Sequence, residues 1–200
     1  MEKDKEIDQD LKVKEAVPDY EKKYTYADYL TWDDEKRWEL IDGVPYLMSA
    51  PSWRHQEILG NLFLKFGNFL DGKSCKVFVA PFDVRLNMDT TDDTVVQPDL
   101  VVICDKSIMM KTGCQAAPDM AIEILSPSTS IKDRALKLEL YQRTEVREYW
   151  IVDPDEKLVH THILDNGRYY ISCYTENDKA PVHILDGFAI NLTDVFAERW

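Results

Sequence analysis

No apolar run in this 200-residue chain approaches the roughly 20 residues that a helix needs to cross a bilayer. The charged stretch Met1–Lys23 has no apolar centre of the signal-peptide kind. These absences point to a soluble, cytoplasmic protein. Cys-x-x-Cys pairs are also missing, which argues against structural zinc. The four cysteines Cys75, Cys104, Cys114 and Cys173 read as reduced core or surface thiols. There is no Gly-rich phosphate loop, no Gly-x-Ser-x-Gly and no Ser-His-Asp pattern, so the common phosphate-cradle and serine-hydrolase readings have no support. Positive charge is scarce as well: 24 Lys and Arg against 37 Asp and Glu give a net charge of −13. Proteins held on nucleic acid by phosphate neutralisation usually show the opposite balance. Any DNA-binding surface must therefore be a local patch, be helped by cations, or come from a partner.

Length and composition suit one sizeable core, with 44% hydrophobic and 30% charged residues. Residues 1–23 carry eight acids and six lysines with no usable periodicity. They read as a disordered tail of charge −2 that leaves −11 to a single domain over 24–200. Thr25 is a cap for a short helix, Tyr26 to Trp32. Trp38–Ile41 and Val44–Met48 flank an Asp42-Gly43 turn, with Pro45 marking an edge strand. Apolar residues from Ile58 to Leu70 recur at helical spacing, predicting a helix over Trp53–Leu70. Three strands follow, at Val77–Leu86 (irregular at Pro81), Val95–Ile103 (Pro98 near its start) and Met120–Leu125. Ser126–Ser130 is a capping turn before a helix over Ile131–Arg143, with Ile131, Ala135, Leu138 and Tyr141 as its buried stripe. A strand at Glu148–Asp153 precedes a hairpin, Leu158–Leu164 and Arg168–Tyr174, turning at Asp165-Asn166-Gly167. A last strand near Val182–Leu185 and a short amphipathic segment Leu192–Phe196 end the chain. The order is helix, three strands, helix, strand, then an antiparallel addition. It predicts an α/β fold with a mixed sheet and helices on its faces.

Two acids interrupt apolar strands: Asp99 in Gln97-Pro98-Asp99-Leu100-Val101, and Glu123 in Ala121-Ile122-Glu123-Ile124. Strand alternation groups Asp99 with Val101 and Ile103, and Glu123 with Ala121 and Leu125. If the strands are neighbours, the carboxylates lie close. Two such charges about 4 Å apart repel by roughly 4 kcal/mol at an effective dielectric of about 20. Mg²⁺ or Mn²⁺ would offset that, oxygen ligands suiting both. The other reading has each acid satisfied separately by backbone donors or a basic side chain. Asp133 and Lys137 share a helix face one turn apart, either as a surface ion pair or with Lys137 aimed at the carboxylates. There it would polarise a water or stabilise phosphate charge. Glu39 is a third acid in an apolar setting, either completing a metal site or lying exposed on an edge hairpin. His55 reads as a cap or packing residue, or as one that touches the site; His160 and His162 share a strand face and read as surface residues of the hairpin, or as a pair able to bind a metal. The five Trp and ten Tyr read as core.

Taken together, Trp38-Glu39-Leu40-Ile41-Asp42-Gly43, His55, Gln97-Pro98-Asp99-Leu100, Ala117-Pro118-Asp119, Glu123-Ile124-Leu125-Ser126-Pro127-Ser128, Asp133, Lys137, Tyr141 and Glu148-Tyr149-Trp150-Ile151-Val152-Asp153-Pro154 resemble the restriction-endonuclease family within the PD-(D/E)XK nuclease superfamily. The match runs from about Tyr24 to Tyr170. The resemblance implies a restriction-endonuclease-like core and a Mg²⁺- or Mn²⁺-dependent endodeoxyribonuclease acting on DNA. It implies Asp99 and Glu123 as metal ligands, Glu39 as an additional acid and Lys137 as the assisting lysine. The superfamily's lysine two positions after the second acid is replaced here by Leu125, and Lys137 matches the helix lysine of the resembling family. That family's Gly-Val before the fourth core strand is Glu145-Val146 in this chain. A homodimer would allow both strands of a duplex to be cut. The alternative is a catalytically inactive protein of the same fold, acting as an interaction or nucleic-acid-binding module.

Overall fold

A computed structural model describes residues 19, 21–32, 35–87, 90–126 and 131–198, with the side chains of 131–133 outside the description. The expected tail over 1–23 and the turn after Ser126 therefore lie largely outside the described residues, as does the side chain of Asp133.

Helix α1 (Tyr26–Tyr29) starts at Thr25, which forms a reciprocal capping box with Asp28. Strands β1 (Trp38–Ile41) and β2 (Val44–Leu47) form the expected hairpin. Helix α2 covers Trp53–Leu70, with Ser52 Oγ accepting from His55 N at its start. The next two expected strands each break in two. Val77–Leu86 becomes β3 (Lys76–Val79) and β4 (Asp83–Arg85), and Val95–Ile103 becomes β5 (Val95–Val96) and β6 (Leu100–Ile103). The breaks fall at Pro81 and Pro98, which lack the N–H that a continuous ladder needs. Strands β7 (Gly113–Cys114) and β8 (Met120–Ile124) precede helix α3 (Ile131–Arg143). Then come β9 (Glu148–Asp153), β10 (Leu158–Asp165) and β11 (Arg168–Thr175). The expected strand near Val182 is replaced by a pair on either side of it, β12 (Lys179–Pro181) and β13 (Ala189–Asn191), and α4 (Leu192–Phe196) follows.

The main sheet runs β11-β10-β9-β8-β6-β3, and a smaller one runs β2-β1-β5-β4-β7, with Pro45 on its edge strand as expected. Only β8 and β9 are parallel in the main sheet, and α3 is the crossover between them. Each broken strand thus sends one half to each sheet, so Pro81 and Pro98 sit where the two sheets part.

Period-2 alternation divides the core. Leu100, Val102, Met120, Ile122 and Ile124 face α2 through Ile58, Leu62 and Phe66, with α4 beside them. Val101, Ile103, Ala121 and Leu125 face the small sheet and α3 through Leu140 and Tyr141. The buried face of α3 is therefore centred on Leu140 and Tyr141, and Ala135, expected inside, is exposed. The helix ends in a Schellman arrangement: Val146 N donates to Tyr141 O, and Glu145 N to Gln142 O. Glu145, standing where the resembling family has glycine, takes φ +62°.

Two expectations need correction. Cys75 and Cys104 are joined in a disulfide, not kept as thiols. The register pairs Lys76 with Ile103, which sets these cysteines across from one another at the next position. Cys114 and Cys173 are free. The disulfide removes the thiol argument for a reducing compartment. His162, expected on the surface, is 3% exposed. It lies between Tyr149 and Tyr169 with Nδ1 3.2 Å from Tyr149 O. Among the described residues no helix is long and apolar enough to cross a membrane.

Candidate active site

The antiparallel register of β6 and β8 places Leu100 opposite Ile122. One residue further on, Asp99 stands opposite Glu123, so the conditional expectation from the sequence is met: the two acids lie on neighbouring strand ends of one sheet. Ile124 N donates to Asp99 Oδ2 at 2.7 Å, and His55 Nε2 lies 3.1 Å from the same oxygen.

Lys137 projects from α3 into this end of the sheet. Its Nζ donates to Glu123 Oε1 at 2.8 Å and to Glu39 Oε1 at 2.9 Å. Glu39 is buried, not an exposed hairpin residue, and its Oε1 also accepts from Gln97 N at 2.8 Å. Tyr141, one helical turn beyond Lys137 on the same face, donates to Glu123 Oε1 at 2.9 Å. The side chain of Gln97 holds the flank: its Oε1 accepts from Arg37 Nε at 3.1 Å, and its Nε2 donates to Asp83 Oδ1 at 2.9 Å. Two acids thus hold one ammonium, with Asp99 opposite Glu123, in a pocket of about 200 Å³. Arg37, Arg134 and an apolar wall of Leu47, Met48 and Pro51 are also part of its lining.

The electrostatics follow from this crowding. Burial lifts the Glu123 carboxyl to about 7, and the charges of Asp99 and Glu39 add to the lift against the pull of Lys137. Burial works against charge on Lys137, but Glu123 and Glu39 outweigh it and raise its pKa, so it stays protonated. For His55, burial lowers the pKa, while the Asp99 hydrogen bond and charge more than compensate and raise it. The Tyr141 hydroxyl is driven well above its usual range by burial and then by Glu123.

A divalent cation suits this donor set. Asp99 Oδ1 and Glu123 Oε2 accept no hydrogen bond from the described residues, while their other oxygens are fixed by Ile124 N, His55, Lys137 and Tyr141. Three carboxylates against one lysine leave an excess of negative charge that a cation would relieve. Among the described residues no three His, Cys, Asp or Glu side chains are grouped to hold a metal, and Glu39 is engaged by Lys137. One or two carboxylates with retained waters is the usual Mg²⁺ arrangement.

His55 takes the second of its expected readings and touches the site, and Tyr141, expected only as a core residue, is a site contact that its apolar stripe does not reveal. His55 lies on the stripe that continues through Leu59, Leu62 and Phe66, and a polar residue on such a stripe needs a partner. Tyr141 is marked by its spacing of four from Lys137.

The model of the Uma2 family, described as "Putative restriction endonuclease", matches residues 26–193. The chain belongs to this family. An uncharacterized protein of Synechocystis sp., slr1290, is 30% identical over 175 residues, covering 85% of this chain and 90% of that protein. The crystal structure of "a putative nuclease belonging to DUF820" from Anabaena variabilis superposes with a TM-score of 0.72 at 18% identity. It covers 86% of this chain and 97% of that one. The Uma2 chain therefore has the restriction-endonuclease-like fold, with the β10–β11 hairpin and the β12–β13 pair added after the core.

Proposed function

We propose that this Uma2 protein is a metal-dependent endodeoxyribonuclease, acting through one domain over residues 24–200. The observation that carries the reading is the facing pair Asp99 and Glu123. Each has one oxygen fixed by protein donors and one without such a partner among the described residues, and Lys137 is held charged beside Glu123.

Asp99 and Glu123 would hold Mg²⁺ or Mn²⁺, which when bound supplies Lewis-acid activation of water and of the phosphate. In the hydrolysis, water oxygen bonds to phosphorus, one P–O ester bond breaks, and the departing oxygen takes a proton to become a hydroxyl. Lys137, protonated and donating to Glu123 Oε1, cannot serve as the base. It neutralises the acids around it and faces the charge that grows on the phosphoryl oxygens. His55 and Ile124 N fix Asp99 Oδ2 and so turn Oδ1 toward the pocket. Tyr141 does the same for Glu123 through Oε1. Glu39 holds Lys137 in place and is joined to the Asp99 segment through Gln97 N.

Supercoiled plasmid DNA incubated with Mg²⁺ or Mn²⁺ tests the proposal, with Asp99→Ala and Glu123→Ala beside the wild type. Cleavage by the wild type alone supports it, and equal cleavage by all three refutes the site. The net charge of −13 favours the non-catalytic binding module as the second reading, and cleavage by none of the three would support that module.

A further inference from the structure

Among the described residues, one cation at the pocket is paired with no acid. Arg37 is engaged by Gln97, and Lys137 by Glu39 and Glu123. Arg134 lies one helical turn before Lys137 and lines the same pocket. Its Nε is buried without a hydrogen-bond partner among the described residues, and no ion pair to it is formed there. A buried guanidinium N–H that makes no bond is unfavourable unless an acceptor arrives, and the planar fork of Arg suits phosphate oxygens.

The pocket also limits what can bring that phosphate. Its volume is about 200 Å³, and it belongs to a chain of net charge −13. A duplex laid across it would bring many phosphates toward an acidic surface. Its rim is apolar. Leu47, 54% exposed, lines its apolar wall with Met48 and Pro51, and Trp53, 60% exposed, follows two residues after Pro51 at the start of α2. Such surfaces suit unstacked bases, which bind by their faces without requiring many phosphate contacts.

We propose that Arg134 is a phosphate-binding residue of the substrate site and that the substrate enters as an unpaired DNA strand, not as an intact duplex. The proposal rests on the nuclease reading for its placement of the scissile phosphate, but binding alone tests it. Fluorescence anisotropy with a labelled 20-nucleotide single strand and its blunt duplex, in EDTA and over a range of salt, gives affinity and the number of phosphates neutralised. The single strand is expected to bind more tightly than the duplex. Its slope of log K against log [salt] should be about −0.7 to −1.4, equivalent to one or two phosphates. Arg134→Gln should weaken single-strand binding about tenfold and flatten the slope by about 0.7. Arg134→Lys should restore the slope in part, which a purely structural role would not do. Tighter binding of the duplex overturns the proposal, and so does an Arg134→Gln protein with wild-type affinity and slope in a folded state verified by circular dichroism. The plasmid assay separates this from the function itself. Loss of binding in Arg134→Gln without cleavage by any protein would refute the nuclease reading and leave this one standing. Cleavage by the wild type with no effect of Arg134→Gln on binding would do the reverse.

Discussion

Replacing Lys137 by Met keeps most of the side chain's volume and removes the only ammonium between Glu39 and Glu123 among the described residues. Lys137 is 15% exposed, and its partners are 6% and 13% exposed, so water cannot substitute freely for the lost charge. Glu39 would retain the bond from Gln97 N, and Glu123 the bond from Tyr141, but Asp99 beside them would then face two uncompensated acids. Breaking a buried pair by removing one partner costs about 3–5 kcal/mol. At about 2–4 °C per kcal/mol for a domain of this size, that lowers Tm by about 6–20 °C at neutral pH. Millimolar Mg²⁺ should recover part of the loss, since a ligand at about 100 times its Kd adds about 2.7 kcal/mol. The assay is thermal unfolding by circular dichroism, with EDTA or Mg²⁺. A Tm within 2 °C of the wild type in EDTA would refute the claim that Lys137 holds the acids together.

Three further outcomes are expected from the surrounding fold. Glu145→Gly should raise Tm by a few degrees, because Glu145 holds φ +62° at the end of α3, a conformation that costs an L-residue roughly 1–2 kcal/mol; an unchanged or lower Tm contradicts it. His162 is kept neutral by burial, which lowers its pKa in the folded state, so the unfolded chain binds more protons below about pH 6.5. The His162 contribution to stability is therefore lost as pH falls through that range, and urea midpoints for His162→Phe should shift less unfavourably than those of the wild type between pH 7.5 and pH 5; parallel slopes refute the assignment. Glu148, fully buried, accepts from Trp150 Nε1 at 2.7 Å and from Ile184 N at 2.9 Å. Glu148→Gln leaves one of these donors facing an amide NH₂ and should cost about 1–3 kcal/mol, read as a lower urea midpoint at constant m.

Helix α2 was legible to the residue, since seven apolar positions recur with its period and Asp71-Gly72 follows. Helix α3 was legible in extent but not in orientation. Its buried face includes Lys137, which a search for apolar stripes counts as solvent-facing, so Ala135 was assigned inside in its place. The strands broken at Pro81 and Pro98 show a different limit. Period-2 alternation reports which residues are covered, but not which sheet covers them, and here each half joins a different one. Asp99 and Glu123 were legible because acids in apolar strands are conspicuous. Their direct opposition depends on the β6–β8 register, which is set by long-range pairing. The Cys75–Cys104 disulfide was hidden for the same reason, with a sequence separation of 29. His162 was misread because burial on β10 comes from Tyr149 and Tyr169, neither of which adjoins it in sequence.

The central claim is that Asp99 and Glu123 together hold a divalent cation. Crystals soaked in Mn²⁺ and measured at its absorption edge test it directly. The account predicts an anomalous peak between Asp99 Oδ1 and Glu123 Oε2, about 2.0–2.2 Å from each, that is lost in Glu123→Ala crystals. A peak elsewhere in the pocket with none at this pair, or one that survives in Glu123→Ala, would contradict it.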